Sequence, residues 1–152
     1  MAKYVERTEL ALGYSISRVL TGLWQIADME RDNRDFDRKA AVRAMQAYVD
    51  AGLTTFDMAD HYGSAEIIAG EFAKTSRTKV QLCTKWVPAP GPITEQDVRD
   101  AVQRSLDRMQ KDRIDLLQFH VWNYADPVWL DCLFWLQELK GAGLIRHLGL
   151  TN

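Results

Sequence analysis

Short apolar runs alternate with amphipathic stretches along this chain at intervals of roughly thirty residues, and that rhythm admits few folds. The clearest runs are Thr54–Asp57, Val80–Lys85, Ile114–His120 and Arg146–Leu150, and a further one, Arg18–Trp24, enters a glycine-containing turn. Between them the apolar residues change to helical spacing. Ala41, Val42, Met45, Tyr48 and Val49 recur within Arg38–Ala51, and Gly52 supplies the stop. Ser64 is placed to cap a helix through Lys74 with Ile67, Ile68 and Phe72 turned inward. Thr94 to Asp97 has the form of a capping box, opening a helix with Val98, Ala101, Val102, Leu106 and Met109 on one face. Asp126-Pro127 opens a last helix to Lys140, expected to bury Trp129, Leu133, Leu136 and Leu139 and to end at Gly141 and Gly143. Ahead of all these, Val5–Leu20 alternates weakly around Gly13 and suits a hairpin, and Asp32–Asp37 is charged and loop-like.

Strands regularly alternating with helices predict parallel βα units. A doubly wound sheet would ordinarily carry Gly-x-Gly-x-x-Gly after its first strand, and Thr21-Gly22-Leu23-Trp24 stands there instead. Polar groups at the ends of successive strands fit a (β/α)8 TIM barrel, which assembles its active site at that face. The fold class is therefore α/β: a partial (β/α)8 barrel, the first five βα strands with an amino-terminal β-hairpin. Residues 1–152 are expected to form one domain, the amino-terminal portion of a barrel cut short of its eight strands. Such a piece would have open edges and is expected to self-associate.

Composition narrows the function classes. Apolar residues make up 47% of 152, enough to bury a core. A net charge of −2 with scattered basic residues gives no sign of a nucleic-acid or membrane-surface partner. The densest basic group, Arg108 to Arg113, is broken by Asp112 and reads as a solvated helix end. Cys83 and Cys132 lie far apart without metal-ligand spacing and are expected to be buried free thiols, so no metal is expected. Met1–Arg7 lacks the apolar core of a signal peptide, and Val128–Leu139 is interrupted by Asp131, Gln137 and Glu138. A cytoplasmic setting follows as the expectation.

The chemistry lies at the strand ends. Asp57, Lys85 and His120 close three consecutive runs, and Tyr62 follows Asp57 by one short turn. A free tyrosine gives up its proton only near pH 10, and a neighbouring ammonium makes the release easier. Lys85 beside Tyr62 would act in that way, Asp57 would keep the lysine charged and in place, and His120 would orient a carbonyl oxygen. With no metal spacing and no Ser-His-Asp order, carbonyl chemistry here calls for an external hydride donor.

These residues resemble those of a known family, the aldo-keto reductases. Ala51 to Glu66 is similar to the family's Gly-x-x-x-Phe-Asp-x-Ala-x-x-Tyr-Gly-x-x-Glu block. Thr84-Lys85, Asp115 to His120 and the closing Gly149-Leu150-Thr151-Asn152 resemble its following strand ends. The resemblance implies an NADPH-dependent reduction of an aldehyde or ketone, with Tyr62 as general acid, Asp57 and Lys85 as its tuning pair and His120 orienting the substrate. It further implies that Gly22, Leu23, Trp24, Asp57, Thr151 and Asn152 approach the cofactor. Thr151 stands for the commoner serine and keeps the hydroxyl. Trp24, Trp86 and Trp122 are candidates for the substrate pocket walls, packing being the alternative for Trp86 and Trp122. Glu66 is expected to support the helix after Tyr62, and Trp129 and Trp135 to be core or flank residues. His61 and His147 are expected in surface or loop positions. Two other readings stay open: a regulatory member of the fold like the potassium-channel β subunits, and an inactive gene fragment.

Overall fold

A computed structural model describes residues 5–27 and 37–152. Two expectations fall partly outside that range: most of the Asp32–Asp37 loop, and residues 1–4 of the amino-terminal stretch. The described elements are β1 (Arg7–Ala11), β2 (Tyr14–Ser17), β3 (Thr21–Gly22), α1 (Arg38–Asp50), β4 (Thr55–Asp57), α2 (Ala65–Thr75), β5 (Gln81–Trp86), α3 (Glu95–Met109), β6 (Ile114–His120), α4 (Val128–Gly141) and β7 (Ile145–Thr151). Strands β3 to β7 pair in sequence order, every neighbour parallel, and β1 and β2 form a separate antiparallel hairpin. Sequential parallel pairing through helical crossovers is the geometry of a barrel wall.

Local chemistry explains most boundaries. Asp37 opens α1 by accepting the Ala40 N–H at 2.9 Å, and Gly52 follows the helix with φ +90°. Thr94 and Asp97 form the expected reciprocal box, and the hydrogen bonds from Thr94 hold the exposed Asp97 carboxyl below its usual range. The Asp126 carboxylate accepts the Val128 N–H at 3.0 Å, while Pro127 stands one residue ahead of the regular helix. Ser64 precedes α2, but its side chain makes no capping hydrogen bond. The expected strand over Arg18–Trp24 contracts to two residues, and the pairing closes with the Leu23 N–H donating to the Asp57 carbonyl at 2.9 Å while the Leu23 side chain packs in the core.

The sheet separates two apolar regions. On the helix side Phe56, Leu82, Leu117 and Phe119 pack against Ile68, Phe72, Val98, Val102, Leu136 and Leu139. On the other side Tyr14 and Ile16 of the hairpin meet Cys83 and Leu116. Arg7 fastens the hairpin to the amino-terminal ends of the strands, donating to Thr54 Oγ1 at 2.8 Å and Gln81 Oε1 at 3.1 Å. The hairpin thus closes the floor of the wall and leaves the opposite rim clear. Both free cysteines are buried, and burial pushes each thiol up to about 11. His147 departs from the expected surface position: it lies on β7, its ring stacked on Tyr14 at 4.5 Å, and desolvation lowers its pKa. Among the described residues no helix is long and apolar enough to cross a membrane.

Helices α2 and α3 meet tightly at Gly70. A Cβ there would stand 2.5 Å from the Met109 carbonyl oxygen and 2.6 Å from its carbon, both backbone atoms that cannot swing aside. Gly70→Ala is expected to destabilise the fold by about 1–3 kcal/mol through this overpacking, despite alanine's better helix propensity. Urea unfolding checks it, and a midpoint equal to or above wild type would contradict the steric account.

Candidate active site

The site forms at the carboxyl ends of the strands. Gly22 pairs with Asp57, Lys85 with Gln118, and His120 with Thr151. Asp57 itself pairs with Cys83, so Lys85 projects two residues beyond it. Staggering of this kind is what strand tilt in a barrel produces. It also lets Lys85 reach back over Asp57. The Lys85 ammonium donates to Asp57 Oδ1 at 2.8 Å, to Asp57 Oδ2 at 2.7 Å and to the Met58 carbonyl at 3.0 Å. All three of its donors are thereby used.

Tyr62 is brought to this cation by a fixed turn. The Met58 N–H donates to the Cys83 carbonyl and the Asp60 N–H to the Lys85 carbonyl, each at 2.9 Å, so pairing with β5 continues past the end of β4. Tyr62 N–H then closes on Ala59, and Gly63 takes φ +48°, which returns the chain into α2. The Lys85 ammonium lies 5.4 Å from the centre of the Tyr62 ring. Trp24 stands edge-on to the same ring at 4.6 Å, and His61 at 4.8 Å. His120 completes the rim at the end of β6. Its Nε2 receives the indole N–H of Trp122 at 2.9 Å, and its Nδ1 is buried with no hydrogen-bond partner among the described residues.

The remaining candidates divide by strand parity. Lys85 faces the rim, so its neighbour Trp86 turns to the helix side, where it is buried and stacked on Phe119 at 5.2 Å. Trp86 is a packing residue and does not wall the rim, since successive side chains alternate across a strand. Leu23 is likewise core, and its backbone N–H donates to the Asp57 carbonyl. Gly22 is exposed with open space where a Cβ would lie. Thr151 is half-buried and accepts the Val121 N–H at 3.3 Å through its carbonyl, while Asn152 is exposed. Trp122 is 69% exposed and lines a cleft of about 260 Å³ together with Pro88, Pro90, Ile93, Val121 and Trp129.

Two features escaped the sequence reading. His61, expected in a surface position, is exposed but accompanies the site: it pairs with Asp60 Oδ1 at 3.0 Å and bridges the rings of Tyr62 and Trp122. Arg108, expected at a solvated helix end, instead turns inward, donating to the Asp60 carbonyl at 2.8 Å and to Glu66 Oε2 at 3.3 Å. Glu66 is buried and also accepts the Thr84 hydroxyl at 2.7 Å. One carboxylate therefore links β5, α2 and α3 behind the Tyr62 turn. Adjacency to Tyr62 was the one available hint for His61. For Arg108 no local pattern distinguishes an arginine that folds back from one that is solvated.

Residues 18–152 match the family model described as Aldo/keto reductase family. A pyridoxal reductase of Arabidopsis thaliana is 30% identical over 125 residues, covering 72% of this chain and 34% of the relative. A 6-dehydroglucose reductase of Novosphingobium aromaticivorans is 30% identical over 155 residues, covering 92% of this chain and 49% of the relative. Among solved structures, the holo form of aldo-keto reductase AKR11C1 from Bacillus halodurans superposes with a TM-score of 0.79 at 26% identity, over 97% of this chain and 50% of that one. The chain belongs to the aldo/keto reductase family and has part of the barrel fold of its members. It spans about a third to a half of the length of these relatives.

Removing Arg108 tests the clamp behind the site. Arg108→Met would leave a buried carboxylate short of its cation, which costs about 3–5 kcal/mol in a fully buried pair. The Arg108 side chain is 31% exposed, so a smaller loss of about 2–3 kcal/mol is expected. Adding Glu66→Gln should recover part of it. Additive losses in urea unfolding would show that the two side chains do not act as a pair.

Proposed function

We propose that this chain carries the proton-donating site of an NADPH-dependent carbonyl reductase, with an aldehyde or ketone as substrate and Tyr62 as general acid. The observation that carries this reading is the Lys85 ammonium, held by both oxygens of Asp57 and lying 5.4 Å from the Tyr62 ring centre. A fixed positive charge there favours negative charge on the phenolic oxygen as its proton leaves for a carbonyl oxygen. Asp57 has one task in this scheme, to hold the ammonium at that place. His120 would orient the carbonyl oxygen, and the edge-on ring of Trp24 limits where Tyr62 can point.

The residues fit a nicotinamide cofactor in their chemistry. Gly22 offers open space beside Asp57, and Thr151 brings a hydroxyl beside His120. The Asn152 amide and Thr151 hydroxyl could bond a carboxamide, and Gly22, Leu23 and Trp24 form the segment along which the cofactor would lie. When bound, NADPH supplies the hydride that a proton donor needs as its counterpart. The names of the relatives, a pyridoxal and a 6-dehydroglucose reductase, support a carbonyl substrate. A cytoplasmic setting is supported by two free, buried thiols.

Tyr62→Phe is expected to leave the fold intact and to lower aldehyde reduction by about 10²–10⁴-fold, the contribution of a positioned acid. Lys85→Met should lower it as well, since Asp57 would then face Tyr62 with an uncompensated carboxylate. Steady-state rates with NADPH and a simple aldehyde decide, and wild-type turnover in Tyr62→Phe would end the assignment. The outer strands β3 and β7 each have one edge without a strand partner among the described residues, and Leu10, Leu12 and Leu150 are exposed. These features support self-association through a second copy of the chain. Light scattering on residues 1–152 is expected to give a mass above that of one chain, and a monodisperse monomer would refute it.

A further inference from the structure

The hydrogen bond between Trp122 and His120 has a consequence for the proposed reaction. An indole N–H only donates, so the His120 Nε2 that receives it at 2.9 Å must present a lone pair. The proton of the neutral ring then resides on Nδ1. In that form His120 cannot donate a hydrogen bond from Nε2 to a carbonyl oxygen, which is the orienting role proposed for it. The donor that blocks it belongs to a residue placed to move: Trp122 is 69% exposed, sits in the loop after β6, and touches its neighbours through edge-on rings, His120 at 5.6 Å and His61 at 6.4 Å.

We propose that Trp122 is a latch on His120, its indole N–H occupying the ring nitrogen that would orient a substrate carbonyl, and that substrate binding requires the latch to open. Opening lets the imidazole proton move to Nε2, where it can be donated to the carbonyl oxygen; the move is a tautomer exchange and changes no charge. The latched form is a competing state, so the apparent affinity for a carbonyl is reduced by the fraction of molecules latched. The same indole forms part of the wall of the cleft between the loops after β5 and β6. Its swing therefore also alters the space beside the site. Trp122 is a positioning residue in this scheme, since it acts through His120. The inference about substrate rests on the reductase reading; the latch itself does not.

The decisive measurement is the tautomer of His120, read from long-range proton–nitrogen correlation spectra of labelled protein at a pH where the ring is neutral. Wild type should show the proton on Nδ1, and Trp122→Phe should move it to Nε2. Because Trp122 is exposed, the substitution spares the core, and the wild-type spectrum needs no variant at all. A wild-type His120 protonated on Nε2, or the same tautomer in both proteins, would overturn the latch. These spectra need neither cofactor nor carbonyl, so a chain that bound no carbonyl would sink the reductase reading and leave this test intact. In protein that reduces benzaldehyde, Trp122→Phe should lower KM about fivefold, the worth of one neutral hydrogen bond, with kcat little changed. An unchanged or higher KM would overturn competition between indole and substrate.

Discussion

Lys85 is the joint on which the site is built. A lysine side chain only 14% exposed loses much of its hydration, and its charge is tolerated because three oxygens replace the lost water. Two belong to Asp57 at the end of β4 and the third to Met58, the first residue of the turn that carries Tyr62. A single side chain therefore fixes the end of its own strand, the end of the neighbouring strand and the start of the turn. Replacing it by an apolar residue would leave the Asp57 carboxylate without its counter-charge, which is the costly way to break such a pair. Charge placement at the site and cohesion of the rim are thus the same interaction.

Barrel geometry makes that joint possible. Parallel strands in a tilted wall are staggered, so side chains that converge at the rim are not partners in the ladder. Asp57 opposes Cys83 and Lys85 opposes Gln118, yet Asp57 and Lys85 meet because the long lysine reaches across the two-residue offset. At the opposite end the stagger leaves the floor open, and the hairpin fills it with Tyr14 and Ile16. The Tyr14 hydroxyl lies 3.4 Å from the Cys83 sulfur, and burial raises the pKa of both groups. Neither carries charge at neutral pH. The wall thus has an uncharged floor and a charged rim, and on β5 they meet two residues apart, at Cys83 and Lys85 on one face of the strand.

Much of this arrangement was legible in the sequence. Periodicity marks the core of each helix among the described residues, and the Thr94 box and the Asp126 cap follow from short-range rules with strong local physics. The ends of the apolar runs marked Asp57, Lys85 and His120 because a polar group closing a buried strand must stand at its rim. Two expectations, those for His147 and Arg108, differ from the structure for one common reason, that they depend on contacts distant in sequence. His147 looked exposed until β7 was seen to lie over Tyr14, a partner 133 residues away if measured from Gly13 to the adjoining Arg146. Arg108 could be placed against Glu66 only once α2 and α3 were packed together. For Trp86 the packing role, one of the two open to it, follows from strand alternation, since standing one residue after Lys85 sends its side chain to the other face.

That alternation also couples the two faces of β5. Thr84, on the helix side, donates to Glu66, while Lys85, one residue on, holds Asp57. Glu66 in turn meets Arg108, which grips the Asp60 carbonyl between Lys85 and Tyr62. The path from the helix layer to the rim is short and made almost entirely of charged or charge-assisted hydrogen bonds, which are directional and stronger than neutral ones. Apolar packing alone would hold the Tyr62 turn near the sheet, but dispersion and burial are non-directional and leave its orientation loose. A proton donor needs orientation as well as nearness, since a small displacement at the reacting atoms is costly in rate. The polar clamp behind the sheet is therefore part of what allows a surface turn to carry a tyrosine in one fixed place.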